Sequence, residues 1–304
     1  MLNKLYYFKN FQRASASDNG SGASSRDIIN AFVSYWAENG VNVELFPGAN
    51  GTLGVTFMAR GLPEGPCFIK SHLPGTIYRD ALKKETELLQ IANADALHIK
   101  TINLLVHEQE QFYLQMDILK DIDGLRPDDV RTIIRQYQTK FSIKPPPTCY
   151  MYEIDEMCAA ALAELEVLRS YRFLTEKCYF AVKDKLLLLQ EVSQKLPRCI
   201  CHGDLSDRNI MRNAVGQLVV IDWEDAFWGC IGYDYLYWLT FFNHRKFYSK
   251  EHIFSEGLNS AQVESVFTMI LVLKSAISFY SGSYRTNSIS MEDRLLEIWK
   301  FCRG

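Results

Sequence analysis

The chain of 304 residues has eight cysteines, yet no two are spaced C-x-x-C. They lie at positions 67, 149, 158, 178, 199, 201, 230 and 302, and only Cys199 and Cys201 are close together. Such scatter offers neither a thiolate metal knot nor a redox couple. The cysteines read as small buried hydrophobes of a reducing compartment, so a cytoplasmic location is expected. An excess of charge is also missing. Residues 1–120 hold 11 Lys+Arg against 12 Asp+Glu, and residues 121–304 hold 22 against 24, which gives the net −3. This excludes the basic stripe of a nucleic-acid binder. No run of eighteen apolar residues occurs, and the most apolar stretch, 263–280, is broken by Glu264, Ser265 and Lys274. No membrane partner is expected. Leu5-Tyr6-Tyr7-Phe8 is followed by no longer apolar region and no small-residue cleavage site, so no secretory signal is expected.

What is present is ample apolar material, 48% of the residues, over a length that suggests about two domains. The Ser/Gly/Ala/Asn-rich stretch 13–25 makes residues 1–25 a flexible segment. A helix beginning at Ser24 or Ser25 would carry Ile28, Ile29, Phe32, Tyr35 and Trp36 on one face and stop at Gly40. Strand patterns follow at 41–46, 53–60, 66–70, 104–108 and 112–116, with a helix over 78–93 between the third and fourth. After Pro127 helical periodicity dominates, over 128–141, 152–169, 174–196, 233–247, 261–280 and 291–301, broken at Pro145-Pro146-Pro147. Strands first and helices later give an α+β class.

The most informative run is His202-Gly203-Asp204-Leu205-Ser206-Asp207-Arg208-Asn209, followed by Val219-Val220-Ile221-Asp222-Trp223-Glu224. Apolar runs at 199–201, 210–212 and 218–221 read as short strands, the last two forming a hairpin turned near Gly216. That hairpin would return Asp222 to the side of Asp204 and Asn209. A carboxylate, an amide five residues later and a second carboxylate eighteen residues after the first are the groups phosphoryl transfer requires. The first can orient and deprotonate an attacking hydroxyl; the other two can hold Mg²⁺ against phosphates. A buried polar loop satisfied by its own backbone is the bland alternative.

The segment 202–234 resembles the aminoglycoside phosphotransferase and choline kinase superfamily, the small-molecule branch of the protein-kinase-like fold. H-G-D-L-x-x-x-N and I-D-W-E stand where protein kinases carry H-R-D and D-F-G. The resemblance implies two lobes: a small N-terminal lobe with an antiparallel β-sheet and a helix over 26–118, and a larger, mostly helical catalytic lobe over 119–304. It implies ATP and Mg²⁺ as cofactors, a small-molecule hydroxyl as acceptor, Asp204 as the catalytic base, and Asn209 and Asp222 as metal ligands. The turn after strand 41–46 would bring Gly48, Asn50, Gly51 and Thr52 to the phosphates, since glycine lets backbone N–H groups approach closely. Lys70 would hold the α- and β-phosphates and pair with Glu85, preferred to Glu87 because Leu89 and Ala92 follow it at helical spacing. Either glutamate could instead lie on a solvated helix face. Met116 would back the adenine, and Asp117 and Ile118 would begin the hinge over 117–121.

Two features narrow the activity. No Ala-Pro-Glu anchor follows Asp222, and Asp234 arrives only twelve residues after it, leaving little room for a peptide platform. A small-molecule kinase is therefore preferred to a protein kinase or to a non-catalytic nucleotide-binding scaffold. Cys230-Ile231 replaces the more polar pair usual in the family's closing motif. For a cationic acceptor the candidate contacts are Glu153, Asp155, Glu156, Glu224 and Asp225, with Trp228, Tyr233, Tyr237 and Trp238 as aromatic faces. A helix N-terminus and core packing explain the same residues equally well. Arg208 reads as a surface arginine paired with Asp207.

Overall fold

The computed structural model describes residues 23–47, 54–73, 76–146, 151–248 and 257–303. The first helix, α1 (Ser25–Glu38), begins where its cap lies: Ser24 accepts the Asp27 N–H, and the Asp27 carboxylate accepts the Ser24 N–H at 2.8 Å. A five-stranded antiparallel sheet follows, built from β1 (Glu44–Pro47), β2 (Gly54–Arg60), β3 (Cys67–His72), β4 (Ile99–Val106) and β5 (Gln109–Asp117). Its spatial order is β1-β2-β3-β5-β4. Between β3 and β4 runs α2 (Thr76–Ala92).

The sheet is covered on both faces. Ile28, Phe32 and Trp36 of α1 pack with Phe57, Ile69 and Tyr113 on one side. Leu114 and Met116, pointing the other way by strand alternation, join Leu82, Leu88 and Leu89 of α2. That second cluster continues without a break into the helical part of the chain, so β5 is buried from Gln111 to Met116.

The remaining helices are α3 (Pro127–Ile143), α4 (Ile154–Ser170), α5 (Glu176–Val192), α6 (Tyr233–Leu239), α7 (Ser260–Tyr280) and α8 (Met291–Arg303). Two small antiparallel pairs lie among them: β6 (Arg198–Cys201) with β9 (Phe227–Cys230), and β7 (Ile210–Arg212) with β8 (Leu218–Val220). By length and composition α7 could cross a membrane. In the fold its Val263, Val266, Phe267, Ile270, Leu271 and Leu273 are buried in the core of the helical lobe.

Several element boundaries differ from the sequence reading. β4 begins at Ile99 and its turn is His107-Glu108, both at positive φ (49° and 64°), so Glu108 is a turn residue and not a strand end. The helix expected over 233–247 ends at Leu239. Phe241 is extended there, and Phe242–Phe247 forms a 3₁₀ segment. β9 was not anticipated. It is possible because Gly229 lies against Cys201, where a Cβ would meet the sulfur at 2.5 Å.

Candidate active site

Lys70 lies on β3, between Thr56 of β2 and Leu114 of β5. Its ammonium meets Glu85 of α2 at 2.7 Å and Asp222 at 2.8 Å, with Glu224 at 3.9 Å. Burial works against that charge, but Asp222 and Glu85, helped by Glu224, outweigh it and hold Lys70 protonated, well above its ordinary range. Burial pushes the Glu224 carboxyl up to about 8, against the pull of Lys70 and with the help of the neighbouring Asp222 charge. Ligand oxygens of Glu85, Asp222 and Glu224 all lie within 4.8 Å of one another. Asp222 is left-handed, φ 67° and ψ 55°, at the mouth of the β8 loop. Asp is among the few non-glycine residues that tolerate this conformation.

The 202–209 loop leaves β6 at His202, which is fully buried. The His202 Nε2 donates to the Ile221 carbonyl at 2.8 Å, so Nδ1 is the acceptor for the Asp204 N–H at 3.3 Å. Gly203 at φ 85° has no room for a Cβ, which would stand 2.2 Å from the Asp225 carbonyl. Asp234, in the first turn of α6, accepts the His202 N–H at 2.8 Å, the Gly203 N–H at 3.1 Å and the Tyr137 hydroxyl at 2.6 Å. Asn209 donates its amide to the Asp204 carbonyl at 2.8 Å, and its own carbonyl accepts the Ile221 N–H at 3.0 Å. Asp204, Asn209 and Asp222 are thus joined through one continuous backbone and side-chain network.

Helix α2 is fastened to the same region. Lys84 donates to the Ala226 carbonyl at 3.1 Å. Asn93, just past the end of α2, pairs with both the N–H and the carbonyl of Val220 on β8, at 3.2 and 2.8 Å. The helix that carries Glu85 and the loop that carries Asp222 are therefore one unit.

The other expected contacts divide. Gly48, Asn50, Gly51 and Thr52 lie outside the described residues. Met116 is buried between Phe68 and Ile99 in the cluster that joins the two parts of the chain. The Asp117 carboxylate accepts the His98 N–H at 2.8 Å, and Ile118 is exposed. The connector beyond them is held by a two-way backbone pair between Lys120 and Arg212, 2.9 Å each.

The acidic cluster at the start of α4 serves structure. Glu153 pairs with Arg198 at 2.7 Å, Asp155 with Gln194, and Glu156 caps the helix through the Glu153 N–H. Tyr233, Tyr237 and Trp238 are buried rather than open faces. Arg208 is exposed, and Asp207 accepts instead from Trp238 Nε1 at 2.6 Å and contacts His244 Nε2 at 3.0 Å. Sequence reasoning also missed the Tyr237 hydroxyl, which donates to Asp204 Oδ1. The only available signal was an aromatic residue three positions after Asp234.

Residues 154–249 match the model of the phosphotransferase enzyme family. No curated protein matches the chain. Among solved structures the fold is similar to that of aminoglycoside phosphotransferase APH(4)-Ia, at 14% identity and a TM-score of 0.62, over 92% of this chain and 100% of that one. A thermostable mutant of that enzyme, in ternary complex with AMP-PNP and hygromycin B, matches at 14% identity and a TM-score of 0.60, over 90% of this chain and 99% of that one. Choline kinase LicA from Streptococcus pneumoniae matches at 14% identity and a TM-score of 0.54, over 91% of this chain and 99% of that one. The chain thus has the two-lobed, protein-kinase-like fold of aminoglycoside phosphotransferases and choline kinase, and its residues 154–249 carry the signature of the phosphotransferase enzyme family.

Proposed function

We propose that this chain is an ATP-dependent small-molecule kinase that transfers the γ-phosphate to a hydroxyl group. The observation that carries the reading is the Lys70 ammonium, hydrogen-bonded at once to Glu85 and to Asp222, which is 152 positions away. A half-buried lysine set between a helix glutamate and a loop aspartate is the phosphate anchor of this reaction class. Beside it stands a loop with a base and a metal amide in the required order.

In this reading Asp204 accepts the proton of the acceptor hydroxyl as the hydroxyl attacks phosphorus. Lys70, fixed by Glu85, meets the α- and β-phosphates. Asn209 and Asp222 would hold Mg²⁺, and the donor set fits a hard cation because all the candidate atoms are oxygens. The Asn209 amide nitrogen is engaged with Asp204, so its oxygen is the atom that can coordinate. Bound there, the ion would offset phosphate charge. Related folds are solved with AMP-PNP and hygromycin B and as a choline kinase, which supports ATP as donor and a hydroxylated small molecule as acceptor.

The test is ADP release from Mg-ATP with hygromycin B, choline, ethanolamine, amino sugars and hydroxy amino acids, and with a peptide mixture as the competing acceptor class. Acceptor-dependent release that falls ~10²–10⁴-fold in Asp204→Ala, the usual worth of a positioned base, is the expected outcome. Release only with peptides would replace the small-molecule reading by a protein kinase.

A further inference from the structure

We infer that Tyr237 is a positioning residue for the phosphotransfer proposed above, holding the Asp204 carboxylate by one oxygen so that the other is presented to the acceptor hydroxyl. The inference rests on the kinase reading of Asp204. The terminal torsion of an aspartate is broad and roughly two-fold, so an untethered carboxylate samples many orientations. A base that must meet one hydroxyl at hydrogen-bond distance gains from being fixed. The Tyr237 hydroxyl donates to Asp204 Oδ1 and supplies that tether.

The tyrosine is itself immobilised. It is only 4% exposed. Its ring lies 6.2 Å from Tyr233 at an interplanar angle of 27°, and meets Phe241 edge-on at 5.8 Å. The Lys274 ammonium sits 4.1 Å from its ring centroid and 3.4 Å from that of Phe241. Of the aromatic faces that the sequence offered to a cationic acceptor, that of Tyr237 is therefore covered by the chain's own cation. Burial, reinforced by the Asp204 charge, pushes the Tyr237 phenol well above its ordinary range, so it keeps its proton and acts as donor. Asp234 holds the backbone of the loop from one turn earlier on the same helix. Helix α6 thus fixes both the main chain and the reacting side chain.

The test compares Tyr237→Phe with Tyr235→Phe, which removes another buried hydroxyl from α6. ADP release from Mg-ATP is followed with whichever of hygromycin B, choline or glucose the unaltered protein turns over fastest, or with water where none is used. The expected result is a kcat lower by about tenfold in Tyr237→Phe, below the full worth of the base. The KM for Mg-ATP and the Tm should stay close to those of Tyr235→Phe, whose kcat stays within twofold of the unaltered protein. A Tyr237→Phe kcat within twofold or raised, or an equal loss in both variants, would overturn the positioning role alone. No ADP release by the unaltered protein with any acceptor or with water would remove the kinase reading, and this inference with it.

Discussion

Lys70 shows how much a single side chain can carry. Its ammonium has a carboxylate on either side, and each carboxylate comes from a different element. In the kinase reading Asp222 is the partner that nucleotide and its cation would share. Asp222→Asn keeps a residue that tolerates the left-handed backbone but removes the charge. Calorimetric titration of this variant should show ATP affinity that no longer rises when Mg²⁺ is added. A Mg²⁺ dependence equal to that of the unaltered protein would refute the ligand role. The residues of this site were legible in the sequence because their spacing is local: Asp204, Asn209 and Asp222 fall within nineteen positions, on a turn that glycines punctuate. Lys70 and Glu85 were legible because a strand ending and a helix face fix them in register. Tyr237 was not, since only the rotation of α6 in space decides whether its ring or its hydroxyl meets the loop. Glu153, Asp155 and Glu156 stayed open between a ligand contact and a helix N-terminus for the converse reason. A charge count cannot tell a carboxylate that faces a ligand from one that caps its own helix.

At the scale of elements, the 202–222 segment is held from two sides, its hairpin by α2 and the loop before it by α6. The α2 side depends on Asn93, which pairs with Val220 as a neighbouring strand would. Asn93→Ala leaves the Val220 N–H without this acceptor in a buried setting, a loss of about 1–3 kcal/mol. Urea unfolding followed by circular dichroism should show a midpoint lowered accordingly, with an unchanged slope. An unchanged midpoint would mean that water or the backbone replaces the amide. Element types were read correctly more often than their ends. The β4–β5 turn uses His107 and Glu108 where glycine or asparagine would have announced it. β9 is four residues long and interrupted by Gly229, too short for alternation to register. The over-long helix at 233–247 followed an aromatic-rich stretch that continues past Leu239 to Phe242, yet the contact between His244 and Asp207 needs the chain to turn after Leu239.

For the whole molecule, one apolar cluster runs from the sheet through to α8, while a smaller one lies beneath α1. The thiols report on that continuity. Burial pushes Cys67 and Cys158 up to about 12 and Cys178 up to about 11, and raises Cys201 and Cys230 well above their ordinary range. At pH 8 the thiolate fraction of Cys67, Cys158 and Cys178 is then ~10⁻³ or less, that of Cys201 and Cys230 is suppressed in the same direction, and the thiolate is the reacting form. Iodoacetamide should therefore modify half-buried Cys199 and Cys302 first among the described cysteines, and the buried five only on unfolding, as peptide mass spectrometry can read. Rapid labelling of Cys158 in the native protein would contradict the packing of α4 against α7.

The anchoring of the loop by Asp234 also sets an order of events during synthesis. A nascent chain that has emerged as far as Asp222 already carries every residue proposed to meet nucleotide, metal and acceptor proton. It still lacks the carboxylate that receives the His202 and Gly203 N–H groups, and the tyrosine whose hydroxyl donates to Asp204. The 202–209 loop cannot take its final shape on the ribosome until α6 has left the exit tunnel. In the kinase reading, competence to phosphorylate thus arrives late, with the helix that follows the proposed site in the sequence.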